Sequence, residues 1–247
     1  MDQSSLIERI RVATYPKRLE FRRGIVRIRR RLLRAVFGLP TISLDEIVHR
    51  EIPVAPPIPD DICLPPYKGP LEVNDYLPFM TIVKSIEPRI VIELGTAHGN
   101  LTANICRECP SVRVYTINAP VEAQTGNLVT YELTPDQIGR VYRRYGFQDR
   151  VVQIFENTLH LDLSRYLNGE LADVVVVDAC HDTDYVINDF SKVQPFVRRG
   201  GVVFLHDTHP SMEKHLHGSY VACMRLRMRG FGIKHLASTW WGIWFKP

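Results

Sequence analysis

Two acid-and-imidazole groupings mark the second half of the chain. Asp178 closes the apolar run ADVVVVD (172–178) and is followed by Ala179, Cys180, His181 and Asp182, while Asp207 closes GVVFLHD (201–207) directly after His206. A wholly apolar β-branched run suits a strand buried on both faces, and open α/β sheets bind ligands outside the carboxyl ends of such strands. The two acids are therefore expected to face one cleft although they are far apart in sequence. Two carboxylates with His206 or His181 could hold a divalent cation: oxygen donors suit Mg²⁺, Ca²⁺ or Mn²⁺, and an imidazole shifts the choice toward Mn²⁺, Fe²⁺ or Zn²⁺. Such an ion would lower the pKa of a hydroxyl and fix its direction. His181, three residues after Asp178, could instead accept a proton as a general base. Strand-end acids also cap turns, and a histidine at a helix start also bonds to backbone.

A third grouping lies upstream, where RIVIEL (89–94) runs into Gly95-Thr96-Ala97-His98-Gly99-Asn100 and then into a segment with helical spacing. Glycines at 95 and 99 permit a tight turn and a close backbone approach, and Glu93 places an acceptor at the strand end. The spacing Glu-x-Gly-x-x-x-Gly is not the Gly-x-Gly-x-x-Gly that cradles a dinucleotide pyrophosphate. As the first strand-to-helix turn of an alternating pattern, it is the expected ligand end of the sheet.

These residues need a scaffold, and the chain supplies one from Leu71 onward. Five short β-branched runs, RIVIEL, VRVYTI (112–117), VVQIF (151–155), ADVVVVD and GVVFLHD, alternate with helical segments. That alternation predicts a doubly wound α/β sheet with right-handed crossovers. The end of the chain differs, because IKHLAS (233–238) and TWWGIWF (239–245) follow each other closely and predict an antiparallel hairpin. Gly230 and Gly232 should end the helix before it.

The Glu93/Gly95/Gly99 turn, the further strands and the terminal hairpin together resemble the class I S-adenosylmethionine-dependent methyltransferases. Asp178 to Asp182 with Tyr185 and Asp189, then Arg199-Gly200-Gly201-Val202 and His206-Asp207, are similar to the branch holding macrocin-type O-methyltransferases and cephalosporin-hydroxylase-like proteins. The resemblance runs from about Pro88 to the end and implies a mostly parallel, Rossmann-like sheet of seven strands. It further implies an enzyme that methylates a hydroxyl of a small molecule, such as a sugar or natural-product intermediate. By this likeness Gly95 and Gly99 would border the methionine part of S-adenosylmethionine, Glu93 would orient it through the local backbone or water, and Thr96 would bind the cofactor from the same turn. Asn118 stands where such families usually have an acid for the ribose, and Asn157 and Thr158 stand where they contact adenine. Asp178, His206 and Asp207 would be the positions for Mg²⁺ or another divalent cation, with Asp178 and His181 as catalytic residues. An oxygenase is the rival enzyme class, since His181, His206 and Asp207 are also the residue types of a two-histidine, one-carboxylate iron site.

The remaining features set the context. The net charge of +4 divides unevenly: residues 1–40 hold 11 Lys+Arg and 3 Asp+Glu, and the other 207 hold 20 and 24. Residues 22–39 read as a basic amphipathic helix with Ile25, Ile28, Leu32, Leu33 and Val36 on one side. It suits a packed helix, an anionic membrane surface or nucleic acid, the last disfavoured because no stacking-rich motif accompanies it. A non-enzymatic scaffold carrying such an arm is a third reading of the chain. Seven prolines in 51–70 exclude a regular helix or central strand, so the domain boundary is expected there, with an extension of 1–70 and a catalytic domain of 71–247. The scattered, odd-numbered cysteines and the lack of a long apolar run point to a cytoplasmic protein, with peripheral membrane contact through 22–39 and homo-oligomerisation left open. Cys106-x-x-Cys109 has no second pair at zinc spacing and suits helix packing. The segment 120–150, with Tyr131, Tyr142 and Tyr145, suits a lid, a substrate wall or a surface helix. His209, His215 and His217 read as surface or substrate-side residues. Trp240 and Trp241 cannot both face a core from one strand.

Overall fold

The structure, a computed structural model, describes residues 38–59, 75–120, 133–209 and 218–247. Leu39–Pro247 form one compact unit. Its strands are β1 (Thr41–Ile42), β2 (Ile90–Leu94), β3 (Arg113–Asn118), β4 (Val151–Phe155), β5 (Ala172–Val177), β6 (Val197–Leu205), β7 (Lys234–Leu236) and β8 (Gly242–Phe245). The helices are α1 (Tyr76–Ile86), α2 (Asn100–Glu108), α3 (Arg140–Arg144), α4 (Ser164–Leu167), α5 (Thr183–Val193) and α6 (Gly218–Met228).

One sheet holds all eight strands in the order β1-β7-β8-β6-β5-β2-β3-β4. From β4 to β6 the pairings are parallel, and β8 runs antiparallel to both β6 and β7. This is the mostly parallel, Rossmann-like sheet expected from the sequence, with its antiparallel hairpin at one side. The alternation along β5 shows why a continuous apolar run is needed. Val175 and Val177 pack with Ile92, Leu94 and Phe190 of α5 on one face. Val174 and Val176 pack with Val91, Phe79 of α1 and Ile105 of α2 on the other. Burying each such aliphatic side chain is worth ~1.5–3 kcal/mol, so a polar residue in its place on either face of β5 would forfeit that burial. In β6 the register with β5 shifts between the pairs Ala172/Val197 and Val174/Val202. Gly200, at φ +71, lies in the extra length that this shift leaves on β6.

The seven expected strands are joined by an eighth, and it comes from the stretch expected to lie outside the domain. Thr41 and Ile42 pair in parallel with His235 and Leu236. The amides of His235 and Ala237 donate to the carbonyls of Pro40 and Ile42 at 2.8 and 2.9 Å. The compact unit begins at Leu39. Proline density did predict irregular backbone for 51–59, but not where it would lie. Its backbone groups are met by side chains instead of a ladder: Asn100 Nδ2 donates to Ile58 O at 2.9 Å, Asn104 Oδ1 accepts from Ile58 N at 2.8 Å, and Lys84 donates to Pro53 O. Ile58 is buried as a result. The amphipathic stretch lies outside the described residues except for Gly38 and Leu39.

Cys106 and Cys109 are buried and free, and burial pushes their thiols up to about 12 and about 11, which fits packing rather than redox chemistry. Among the described residues no helix is long and apolar enough to cross a membrane.

Candidate active site

The glycine turn between β2 and α2 is shaped by its own surroundings. Gly95 has φ +107, and a Cβ there would stand 2.1 Å from the Asp178 carbonyl oxygen, so the end of β5 passes directly against the turn. Gly99 has φ +77, and its Cβ would meet the Tyr142 ring at 2.7 Å. Gly95 N and Thr96 N donate to Ile117 O at 2.8 and 3.2 Å, which ties the turn to the end of β3. Asn118 completes that tie by accepting Ala97 N at 3.2 Å on Oδ1.

Glu93 and Thr96 point inward. The Glu93 carboxylate is buried and accepts the hydroxyls of Thr102 and Thr116. Burial raises its pKa to about 7 against the pull of those two hydroxyls. The Thr96 hydroxyl lies 2.7 Å from Thr116 Oγ1 and accepts Gln153 Nε2 at 2.9 Å. Asn157 spends its side chain on an Asx turn, accepting Leu159 N at 2.9 Å. Thr158 is buried, with its carbonyl accepting Asn188 Nδ2 at 3.2 Å. The expected cofactor-side residues therefore gather at the carboxyl ends of β2, β3 and β4, most of them with side chains engaged by the protein.

The acids and imidazoles converge as the strand-end argument required. His181 Nδ1 lies 3.0 Å from Asp207 Oδ2, and its Nε2 lies 3.5 Å from Asp178 Oδ1. His206 Nδ1 lies 3.2 Å from Asp178 Oδ1 and 3.5 Å from Asp207 Oδ1. Burial works against the Asp178 charge, yet His206 and His181 together hold its pKa well below the usual carboxylate range. Burial likewise opposes charge on both imidazoles, and the carboxylates outweigh it, raising His181 and raising His206 strongly. Asp207 adopts φ +56, a left-handed conformation that aspartate tolerates better than most residues.

A third carboxylate was not anticipated. Asp75, directly before α1, places Oδ2 3.5 Å from His206 Nε2 and accepts the Trp240 amide on Oδ1. Its carbonyl accepts Trp241 Nε1 at 3.2 Å, and the Trp241 ring packs 4.4 Å from that of His206. An aspartate before an apolar helical run is a helix-start signal, which is the clue the sequence offered. Trp241 is buried and Trp240 half-buried, within the turn between β7 and β8 rather than on a strand. Gly218 was also missed: a Cβ there would lie 2.0 Å from His181 O, so the start of α6 presses on the His181 backbone. His209 packs beside Trp240 and His235, and burial lowers its pKa. Tyr131, His215 and His217 lie outside the described residues.

Asp178, His206 and Asp207 are brought together, but as partners of one another. Among the described residues no group of three or more His, Cys, Asp or Glu side chains is arranged to hold a metal ion. His206 has a carboxylate against each ring nitrogen, Asp178 at Nδ1 and Asp75 at Nε2. Asp178, Asp207 and His206 remain the groups that could take up the expected cation.

Residues 92–208 match a protein family described as a methyltransferase domain. That match covers just under half of the chain. Its boundaries enclose the glycine turn, the Asp178–His181 pair and the His206–Asp207 pair, and Asp75 falls outside them. No curated protein matches the chain in sequence. Among solved structures, one similar fold is a protein from Staphylococcus aureus provisionally named a caffeoyl-CoA O-methyltransferase, at TM-score 0.53 and 15% identity, over 68% of this chain and 81% of that one. An O-methyltransferase family protein from Burkholderia thailandensis matches at TM-score 0.49 and 16% identity, over 68% of this chain and 55% of that one. The chain thus spans only about half the length of that relative. An O-methyltransferase from Bacillus cereus, solved in complex with SAH, matches at TM-score 0.48 and 18% identity, over 66% and 76%.

Proposed function

We propose that the methyltransferase domain moves the methyl group of S-adenosylmethionine to a hydroxyl oxygen of a small molecule, such as a sugar or natural-product intermediate. The observation that carries this reading is the imidazole–carboxylate cluster at the ends of β5 and β6, next to the glycine turn of the same sheet. The sulfonium methyl is already electrophilic, so the protein must orient an acceptor oxygen in line with the departing sulfur and remove its proton. His181 is suited to the proton: it is partly exposed, and Asp207 and Asp178 stabilise the imidazolium that forms. His206, clamped between Asp75 and Asp178, supplies positive charge that holds the Asp178 carboxylate ionised. Asp178, Asp207 and His206 would be the residues to hold the divalent cation suggested by the sequence, which would lower the pKa of the acceptor hydroxyl.

The test is direct. Isothermal titration with S-adenosylhomocysteine should show saturable binding, and its absence would remove the donor from the scheme. With an acceptor found by screening hydroxylated natural products, Asp178→Ala should lower turnover by at least about 100-fold, the usual scale for loss of a group that serves proton transfer. Full activity in that variant would take the acid out of the mechanism. Membrane contact through 22–39 is a separate proposal, supported by that stretch's basic charge and checked by co-sedimentation with anionic vesicles.

A further inference from the structure

The long segment between β3 and β4 returns to the glycine turn through α3, and the contacts there form one partly buried polar chain. Gly139 N donates to Ala97 O and Val141 N to His98 O, both at 2.9 Å, so the start of α3 binds the two carbonyls at the crest of the turn. The Tyr142 ring fills the space that Gly99 and Gly139 leave open, with a Cβ on either glycine falling within 2.7 Å of it. Its hydroxyl donates to Gln153 Oε1 at 3.1 Å. Gln153 Nε2 donates to Thr96 Oγ1, Thr96 meets Thr116, and Thr116 donates to Glu93. Tyr142 and Gln153 thus connect α3 and β4 to the interior of a turn that neither side chain belongs to.

We propose that Tyr142 and Gln153 are positioning residues for the methyl donor: through Thr96 they fix the shape of the 93–99 turn, so donor affinity depends on α3 being seated on it. This rests on the donor reading above. The physical basis is that a turn held only by its own backbone would sample several shapes, and the fraction in the binding shape scales the apparent affinity. Loss of one hydrogen bond of ordinary strength corresponds to roughly a fivefold change in such an equilibrium.

The experiment uses the full chain and S-adenosylhomocysteine as the probe, by titration calorimetry well below each variant's melting temperature. Tyr142→Phe and Gln153→Met should each weaken binding about fivefold, and the double variant should be no weaker than the poorer single one, because both break the same chain. In turnover assays KM for the donor should rise with kcat little changed, a split that general destabilisation would not produce. Arg144→Ala, on the exposed side of α3, should bind as the unchanged chain does. Unaltered affinity in both single variants, or additive losses in the double one, overturns the proposal. If the unchanged chain gives no binding heat, the donor reading fails first and this inference goes with it.

Discussion

Glu93→Gln isolates the energetic consequence of burying a carboxylic acid beneath the glycine turn. Burial lifts Glu93 from an ordinary 4.5 to about 7. That span of about 2.5 pH corresponds, at 1.36 kcal/mol per pH, to roughly 3 kcal/mol. The folded-state pKa is the raised one, so the stability tied to the neutral acid is complete below pH 4.5 and is lost as pH climbs through 7. Glutamine keeps an oxygen for the Thr102 and Thr116 hydroxyls but never ionises. The stability of the variant relative to the unchanged chain should therefore improve by about 2–3 kcal/mol between pH 5 and pH 8, whatever constant offset the amide adds. Urea unfolding at several pH values measures this. In thermal melts it amounts to roughly 5–10 °C, at ~2–4 °C per kcal/mol for a body of this size. A difference that stays flat with pH, or that shrinks, would refute the account of Glu93 as a buried, poorly ionised acid.

Other substitutions probe the site itself. Gly95→Ala should cost at least about 2 kcal/mol, because it combines a left-handed φ with a Cβ 2.1 Å from Asp178 O; unchanged urea unfolding would contradict that packing. Asp207→Asn keeps the shape and the tolerated φ of that residue but removes the charge beside His181 Nδ1. Since that charge raises the His181 pKa, the acid limb of the kcat/KM profile should move to lower pH, and an unmoved limb would exclude His181 as the titrating base. Gly218→Ala should push the His181 backbone, at 2.0 Å, and lower kcat by about tenfold or more while the chain stays folded by circular dichroism. Retention of full kcat would show that α6 has room to shift.

The fold was legible because its periodicity was strong. The run 172–178 is apolar on both sides of the strand, so its burial from two faces and its acid at the tip followed from residue types alone. Asp178, His181, His206 and Asp207 converge for the same reason. What escaped was what depends on long-range packing. Asp75 reads as a helix start, and only the fold brings it beneath the Trp240 amide and beside His206. The two turn glycines suggested ligand access, whereas their nearest obstacles are Asp178 O and the Tyr142 ring. Thr41 and Ile42 are too short a strand for any periodic signal, and the prolines after them gave no hint that they join the sheet.

That two-residue strand bears on how the chain can be cut. A version beginning at residue 71, the natural choice from proline content, would take the acceptors away from His235 N and Ala237 N. It would leave three-residue β7 as a bare sheet margin with Leu236 beside it. Unpaired margins of this kind recruit other strands, so the shortened protein should self-associate or precipitate where one starting at Leu39 stays dispersed.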